Sequence, residues 1–350
     1  MKTTVIAIEE RTANQRLDTE SKIIKLLNAS AVYVDEMTVV DVENSAAFEC
    51  ALCVSGEVTV IVNIGRCRFD HKKIFDGAGI VFDEDGFFVK DKLVALYSDK
   101  RDFSQKFMDK LGAFFGFTVG KNTFRLFGEN VERIKEFTDG MEKTCPSVFF
   151  NVDGVASDTK VDLFYSEKSS KFEVDKAVKQ FVTKYKNNIY AEDDTPLEQR
   201  FKDLLKLHRL TVSTAESMTG GAIAARIVTV DGASDVFYEG MVTYNTLAKE
   251  RRLGVSHKTV VEHTVVSSEV AYEMAAGLLE NADVAISVTG YAGSTDHPDK
   301  EDGLCYIGVG VFDRIEVYNF RFGGTRKENI DSAVNAALFL AIKMVNNTDF

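Results

Sequence analysis

Four short stretches near the end of the chain bring together residue types that can do acyl-transfer chemistry. In Thr214-Ala-Glu-Ser-Met-Thr-Gly-Gly221 a serine, Ser217, is followed closely by Thr219 and by Gly220 and Gly221. An apolar strand over 210–214 and a small-residue helix over 219–229 would leave Ser217 on the turn between them. Main-chain N–H groups of residues 218–221 could then hold a developing oxyanion or a phosphate. The two glycines would let a ligand approach the backbone closely. On spacing alone a plainer alternative stays open, in which Ser217 or Thr219 only caps the helix. The second stretch, Gly240 to Lys249, delivers Tyr244 from a strand and Asn245 and Lys249 from the turn after it. Lys249 could serve as a base if burial or a nearby cation lowers its pKa; taken alone, it reads as an exposed helix residue. The third, Val288 to Gly293, places Thr289, Gly290, Ala292 and Gly293 where a strand ends, the side on which open α/β sheets bind ligands. In the fourth, Phe322-Gly-Gly-Thr-Arg326, an edge strand leads through glycines to an arginine that opens the last helix.

The elements that must position these residues belong to a final domain over 191–350. The pattern gives helices at 197–207, 219–229, 247–253, 268–280 and 326–345, and strands at 210–214, 240–244, 284–289, 304–312 and 315–322. Ser267 is placed to cap one helix, and Thr325-Arg-Lys-Glu328 matches a capping box for the last. The acidic stretch 191–196 contains a proline and reads as a linker, with Thr195 capping the helix beyond it. Upstream, residues 1–120 alternate strands (4–8, 32–39, 58–64) with helices (19–27, 46–54, 104–115), which favours a mostly parallel sheet. A hairpin over 77–96 is expected to turn at Asp83-Glu-Asp-Gly86. Residues 121–190 read β-α-β-β-α, a small unit of their own. The fold class is therefore multi-domain α/β, with three-layer α/β domains at 1–120 and 191–350 and a small α+β middle domain at 121–190.

Length and composition agree. The 350 residues are enough for two or three domains, and 45% hydrophobic with 27% charged residues is ordinary for a globular chain. A net charge of -12 argues against nucleic acid as a partner, since that affinity comes from clustered cations. The lysines between 168 and 186 are interleaved with acids and read as a solvated helix face. Five scattered cysteines make no disulfide framework, and Cys50 and Cys53, although spaced C-x-x-C, read as buried thiols in an apolar helical run. No stretch has the length of a membrane span, the start does not resemble a signal peptide, and a cytoplasmic protein is expected. The last domain holds no His/Cys/carboxylate cluster suited to a metal beyond Asp296, His297 and Asp299, which Pro298 places in a loop. Neither a metal nor a cofactor is expected.

Taken together, the four stretches resemble the C-terminal domain of the competence/damage-inducible protein A (CinA) family. The family's Ala-Glu-Ser-x-Thr-Gly-Gly stands here as Ala215 to Gly221, and its tyrosine with a lysine five residues on as Tyr244 to Lys249. Leu253-Gly-Val255, Val265-Val-Ser267 and Thr289-Gly-x-Ala-Gly293 continue the likeness, which ends at Arg326. The resemblance implies hydrolysis of the carboxamide of nicotinamide mononucleotide to the acid and ammonia. It makes Ser217 the nucleophile and Lys249 the base, held neutral with help from Tyr244 and the nearby Arg326. Thr219, Gly220, Gly221, Asn245, Thr289, Gly290, Ala292, Gly293 and Arg326 would bind the nucleotide, the partner being that small molecule and a second copy in a homodimer.

The sequence departs from the family in places. Where the family has Gly-Pro, further glycines and Lys-Pro-Val-Gly-Thr, this chain has an acidic stretch from Ser294 to Leu304, which bears on the substrate more than on the reaction. Residues 1–120 resemble the family's molybdopterin-binding-type domain with its phosphate-facing glycines replaced, as at Val62-Asn-Ile-Gly-Arg-Cys-Arg-Phe-Asp70, and its ADP-ribose pyrophosphatase activity is expected to be lost. The rival readings are a non-catalytic nucleotide-binding or scaffold protein that keeps the pocket, and a hydrolase of another amide.

Overall fold

The computed structural model describes residues 2–9, 23, 24, 27, 32–62, 67–97, 103–293 and 302–348. The helix expected over 19–27, apart from Ile23, Ile24 and Leu27, and the acidic loop with Asp296, His297 and Asp299 lie outside them. The chain is a multi-domain mixed α/β protein built on three sheets. Contacts divide it into two compact units, one of residues 1–122, 135–151 and 162–184, the other of 123–134, 152–161 and 185–350. Residues of the expected middle segment are thus shared out. Phe149 and Phe164 belong to the N-terminal core, while Phe127, Tyr190 and Ala191 belong to the C-terminal one.

The N-terminal sheet runs in the order Glu36–Asp41, Thr3–Glu9, Val58–Val62, Leu93–Tyr97, Phe87–Val89. Its first four strands are parallel and the last is antiparallel. Val58–Val62 is buried at every position, as a strand covered on both faces must be. Two expectations change here. The hairpin turns at residues 90–92, not at 83–86, because the Asp83 carboxylate accepts the N–H groups of Asp85 and Phe87 and closes a separate turn before the first strand begins. Cys50 and Cys53 are exposed rather than buried: the Ser45–Val54 helix turns Phe48, Ala51 and Leu52 to the core, which leaves both thiols on its outer side.

The small sheet has the order Phe149–Val155, Asp158–Ser166, Val119–Phe127, Ile189–Ala191. Residues 191–196 are no free linker. Ile189–Ala191 pairs antiparallel with the Arg125–Leu126 stretch, and Asp194 is held by Lys160 at 2.7 Å and Arg125 at 3.4 Å. Arg125 also reaches Asp158 at 2.7 Å and Tyr190 Oη at 3.0 Å, so opposite charges anchor the acidic run. Pro196, not Thr195, sits at the N-cap of the Leu197–His208 helix, and it makes no side-chain cap bond.

The C-terminal sheet, order Phe237–Val242, Val212–Glu216, Val284–Gly290, Leu304–Val311, Arg314–Arg321, positions the site. Alternate side chains of its central strands serve two cores. Val212, Val284, Ile286 and Val288 pack under the helices Leu197–His208, Ala222–Val228 and Arg326–Asn346. Ala215 and Ala285 face Ser268–Leu278 and Leu253 of Thr246–Leu253 on the other side. This makes three layers. Val212–Glu216 is parallel to both its neighbours, with the chain crossing to one neighbour over one face and reaching the other over the opposite face. The carboxyl end of that strand is therefore a topological switch point, where a crevice opens between the departing connections.

Candidate active site

Ser217 stands at that point. Its N–H continues the strand ladder by donating to the Val288 carbonyl at 3.0 Å, and the Thr243 N–H does the same on the other side by donating to the Glu216 carbonyl at 2.8 Å. The nucleophile candidate is thus carried on backbone fixed from both flanks. Lys249 comes from the Thr246–Leu253 helix, which Asn245 caps by accepting the Leu247 N–H at 2.9 Å and Gly254 closes in a left-handed conformation. Lys249 and the buried Leu253 stand at positions i and i+4, about one helical turn apart, so both side chains point inward.

Lys249 is completely buried, 0% exposed. Its Nζ donates to Ser217 Oγ at 3.0 Å, to the Thr243 carbonyl at 2.6 Å and to the Tyr244 carbonyl at 3.4 Å. Burial, which penalises the ammonium, pulls its pKa down from 10.5 to about 8. In the neutral amine the two carbonyls can take both hydrogens, which aims the lone pair at the Ser217 hydroxyl. The cation Arg326 is not what lowers the pKa. Tyr244 contributes its carbonyl, while the residue as a whole is 64% exposed at the rim of the site.

Beside the pair lies a cavity of about 240 Å³. Ser217, Met218, Tyr244, Thr246, Val265, Val266, Thr289, Gly290, Tyr291, Ala292, Gly293 and Arg326 line it. Thr289 is held by donating to the Val265 carbonyl at 2.9 Å, which ties the strand end to the loop before Ser268–Leu278. At Gly290 a side chain would sit 2.3 Å from Met218 Sδ and 2.6 Å from the Leu304 carbonyl, so glycine is required by close packing. Arg326 opens the last helix at the exposed rim, its first turn locked by the Thr325 and Glu328 capping box. Asn329 steadies the same corner: its Nδ2 donates to the carbonyls of Ala292 at 2.8 Å and Gly324 at 3.0 Å, and its Oδ1 accepts the Gly324 N–H at 2.9 Å.

The structure thus brings Ser217, Lys249, Tyr244, Thr289, Gly290, Ala292, Gly293 and Arg326 to one place. Thr219, Gly220, Gly221 and Asn245 lie outside the lining. Asn245 is spent on its helix cap. Gly220 and Gly221, with φ of 60° and 98°, turn the chain instead of touching the cavity. Their purpose becomes clear from Glu216, to which the sequence gives no more than a place in a motif. Its carboxylate, 0% exposed, accepts the N–H groups of Gly221 at 2.9 Å, Ile223 at 3.1 Å and Ala224 at 2.9 Å. The helix N-terminus that could have received a substrate phosphate is occupied from within. A strand-ending acid before a double glycine is the available signal, and it is easily passed over because short polar residues are the usual caps.

Residues 194–345 match the family model described as the CinA C-terminal domain. Over 163 residues the chain is 41% identical to a CinA-like protein of Kosmotoga olearia, covering 46% of this chain and 40% of that one. A CinA-like protein of Chloroherpeton thalassium is 41% identical over 165 residues, covering 45% of this chain and 39% of its own length. The match therefore spans about two fifths of the length of these curated relatives. Among solved structures, the competence/damage inducible protein CihA of Agrobacterium tumefaciens is 33% identical, with a TM-score of 0.42, and covers 43% of this chain and 94% of that one.

Proposed function

Residues 194–345 belong to the CinA C-terminal domain family, and from that premise we propose that this domain hydrolyses the carboxamide of nicotinamide mononucleotide, with Ser217 as nucleophile and Lys249 as base. What supports the reading most is the 3.0 Å contact between Lys249 Nζ and Ser217 Oγ, made by a lysine whose pKa has fallen to about 8. In the first step Ser217 Oγ bonds to the carboxamide carbon while its proton passes to neutral Lys249. As the tetrahedral species collapses, the C–N bond breaks, Lys249 returns the proton to the leaving nitrogen and ammonia departs. The resulting ester is cleaved by water, which gives its proton to Lys249 as it attacks. Ser217 leaves re-protonated, and nicotinic acid mononucleotide is released. Arg326, a guanidinium at the rim, grips the phosphate. Tyr244 and Thr289 shape the space between.

The experiment is ammonia release from nicotinamide mononucleotide, nicotinamide riboside and nicotinamide. The mononucleotide should be turned over well ahead of the other two, which lack the group Arg326 binds. Release from none of the three would sink the proposal. For residues 1–120 we propose no ADP-ribose pyrophosphatase activity. Metal-dependent AMP release by the full chain, unaffected by Ser217→Ala, would overturn that.

A further inference from the structure

The turn after Ser217 permits a complete account of its amides. The Ser217 N–H goes to the Val288 carbonyl, that of Gly220 to the Ser217 carbonyl, and that of Ala222 to the Thr219 carbonyl. Gly221, Ile223 and Ala224 give theirs to the Glu216 carboxylate. Among the described residues, the N–H groups of Met218 and Thr219 are left without an acceptor. The Thr219 hydroxyl, in a residue 4% exposed, also has none. Backbone donors of buried residues are nearly always paired, so two successive unpaired ones directly after a nucleophile, in residues each 4% exposed and with Met218 in the cavity wall, call for an acceptor that arrives with the substrate.

We infer that Glu216 is a positioning residue that builds an oxyanion hole: by taking the amides of Gly221, Ile223 and Ala224 it fixes the turn in which Met218 and Thr219 N–H stay free for the tetrahedral intermediate. This rests on the proposed nucleophilic role of Ser217. The carboxylate lies in the strand residue just before the serine, and its three amide bonds tie the start of the Ala222–Val228 helix to the strand end. Thr214 Oγ1 donates to it at 3.4 Å from the same strand face. The left-handed Gly220 and Gly221 let the backbone curl far enough for the bonds to form. Without the carboxylate, the orphan amides at the helix start would compete for the same oxyanion and the turn would lose its register. The donors for the transition state are therefore prearranged by a group that never touches substrate.

The test compares Glu216→Gln with the wild-type full chain by two readouts. One is ammonia release from nicotinamide mononucleotide. The other is the rate and final extent of Ser217 modification by an alkyl fluorophosphonate, followed by intact mass. Glutamine keeps the size but replaces one acceptor oxygen with a donor that faces an N–H. The kcat should fall roughly 10²- to 10³-fold, the scale of losing an oxyanion donor, with KM changed less than about threefold. The labelling rate should fall in step, while its final extent and the pH midpoint of turnover stay as in the wild type. A merely structural role would instead lower the final extent of labelling. Turnover and labelling within about threefold of the wild-type rates overturn the inference. Should Glu216→Gln fail to fold, Glu216→Asp carries the same test, since it keeps the charge but falls one methylene short of the three amides. It should lose at least roughly tenfold in both rates, and wild-type rates there are equally fatal. Wild-type labelling without ammonia release sinks the amidase reading alone and leaves the labelling rates to decide on Glu216.

Discussion

The N-terminal and C-terminal sheets share a layout and differ in what they bury. In both, the first strand lies between the second and the third and is parallel to each, so both have a switch point at the carboxyl end of that first strand. Among the described residues of the N-terminal sheet, the buried polar side chains are the threonines Thr3, Thr4 and Thr59. The C-terminal sheet and its connections bury Glu216, Ser217, Lys249 and Thr289 around one point. An ionisable group taken out of water costs several kcal/mol unless its partners restore the lost hydration. Glu216 finds three amides, whereas Lys249 finds only a hydroxyl and two carbonyls and responds with a lowered pKa. The shared topology supplies a crevice. The proposed chemistry needs more, a lysine buried beside a serine.

The comparison breaks most directly if the buried pair is dispensable. Ser217→Ala and Lys249→Ala should each lower ammonia release by at least roughly 10³-fold while still binding the mononucleotide, because the proposed phosphate contact, Arg326, lies at the rim. Initial rates together with calorimetric titration of the mononucleotide check both halves. Near-normal release by Ser217→Ala would reduce the serine to part of a turn. Arg326→Ala comes next in size. It should raise KM by roughly 10- to 100-fold with a much smaller change in kcat, since burial rather than this exposed guanidinium sets the Lys249 pKa. A loss confined to kcat would show that Arg326 acts on the chemistry.

A gentler effect follows from the base itself. In the proposed mechanism neutral Lys249 is the reactive form, so kcat/KM should rise about tenfold per pH unit below about 8 and level off above it. Initial rates between pH 6 and 9.5 measure this. A flat profile, or a midpoint at the ordinary lysine value, would remove Lys249 from the role.

Much of the C-terminal domain was legible because its signals are local. Ser267 does cap its helix and Thr325 and Glu328 do form a capping box, each readable from residues three apart. The residues at the strand ends, Ser217 and Thr289, could also be placed, since a strand needs only a few apolar residues to declare itself. Lys249 was harder. Thr246–Leu253 carries Lys249, Arg251 and Arg252 in eight residues, and charge does not say which one turns inward. Its four-residue spacing from Leu253 does, but only once the face that Leu253 buries is known. The hairpin turn is not legible because the Asp83 carboxylate makes a local turn as good as a hairpin loop. The exposure of Cys50 and Cys53 is not legible because an apolar helix of ten residues hides which side meets the sheet. Glu216 escaped because its partners lie five to eight residues ahead, beyond any capping pattern.

The smallest expected effect concerns stability and separates the cost of the base from its use. Lys249 has a pKa of about 8 in the folded chain against an ordinary 10.5. Below about pH 8 it is protonated in both states, and the folded state carries the full penalty of the buried ammonium. As pH rises from about 8 to 10.5 the folded protein releases its proton before the unfolded chain does, so stability recovers across that window. Lys249→Met removes the charge and keeps a flexible apolar side chain of similar length, but it leaves the Thr243 carbonyl without its 2.6 Å donor, a loss of about 1–2 kcal/mol. At pH 7 the variant should be more stable than the wild type by roughly 1–2 kcal/mol, although inactive. The advantage should shrink by on the order of 3 kcal/mol between pH 7 and 10.5, which reverses its sign. Melting of both proteins side by side across this range cancels the titration of every other group. A difference that does not change with pH would mean that Lys249 is not held neutral by burial, and the C-terminal crevice would then bury its lysine no more expensively than the N-terminal sheet buries its threonines.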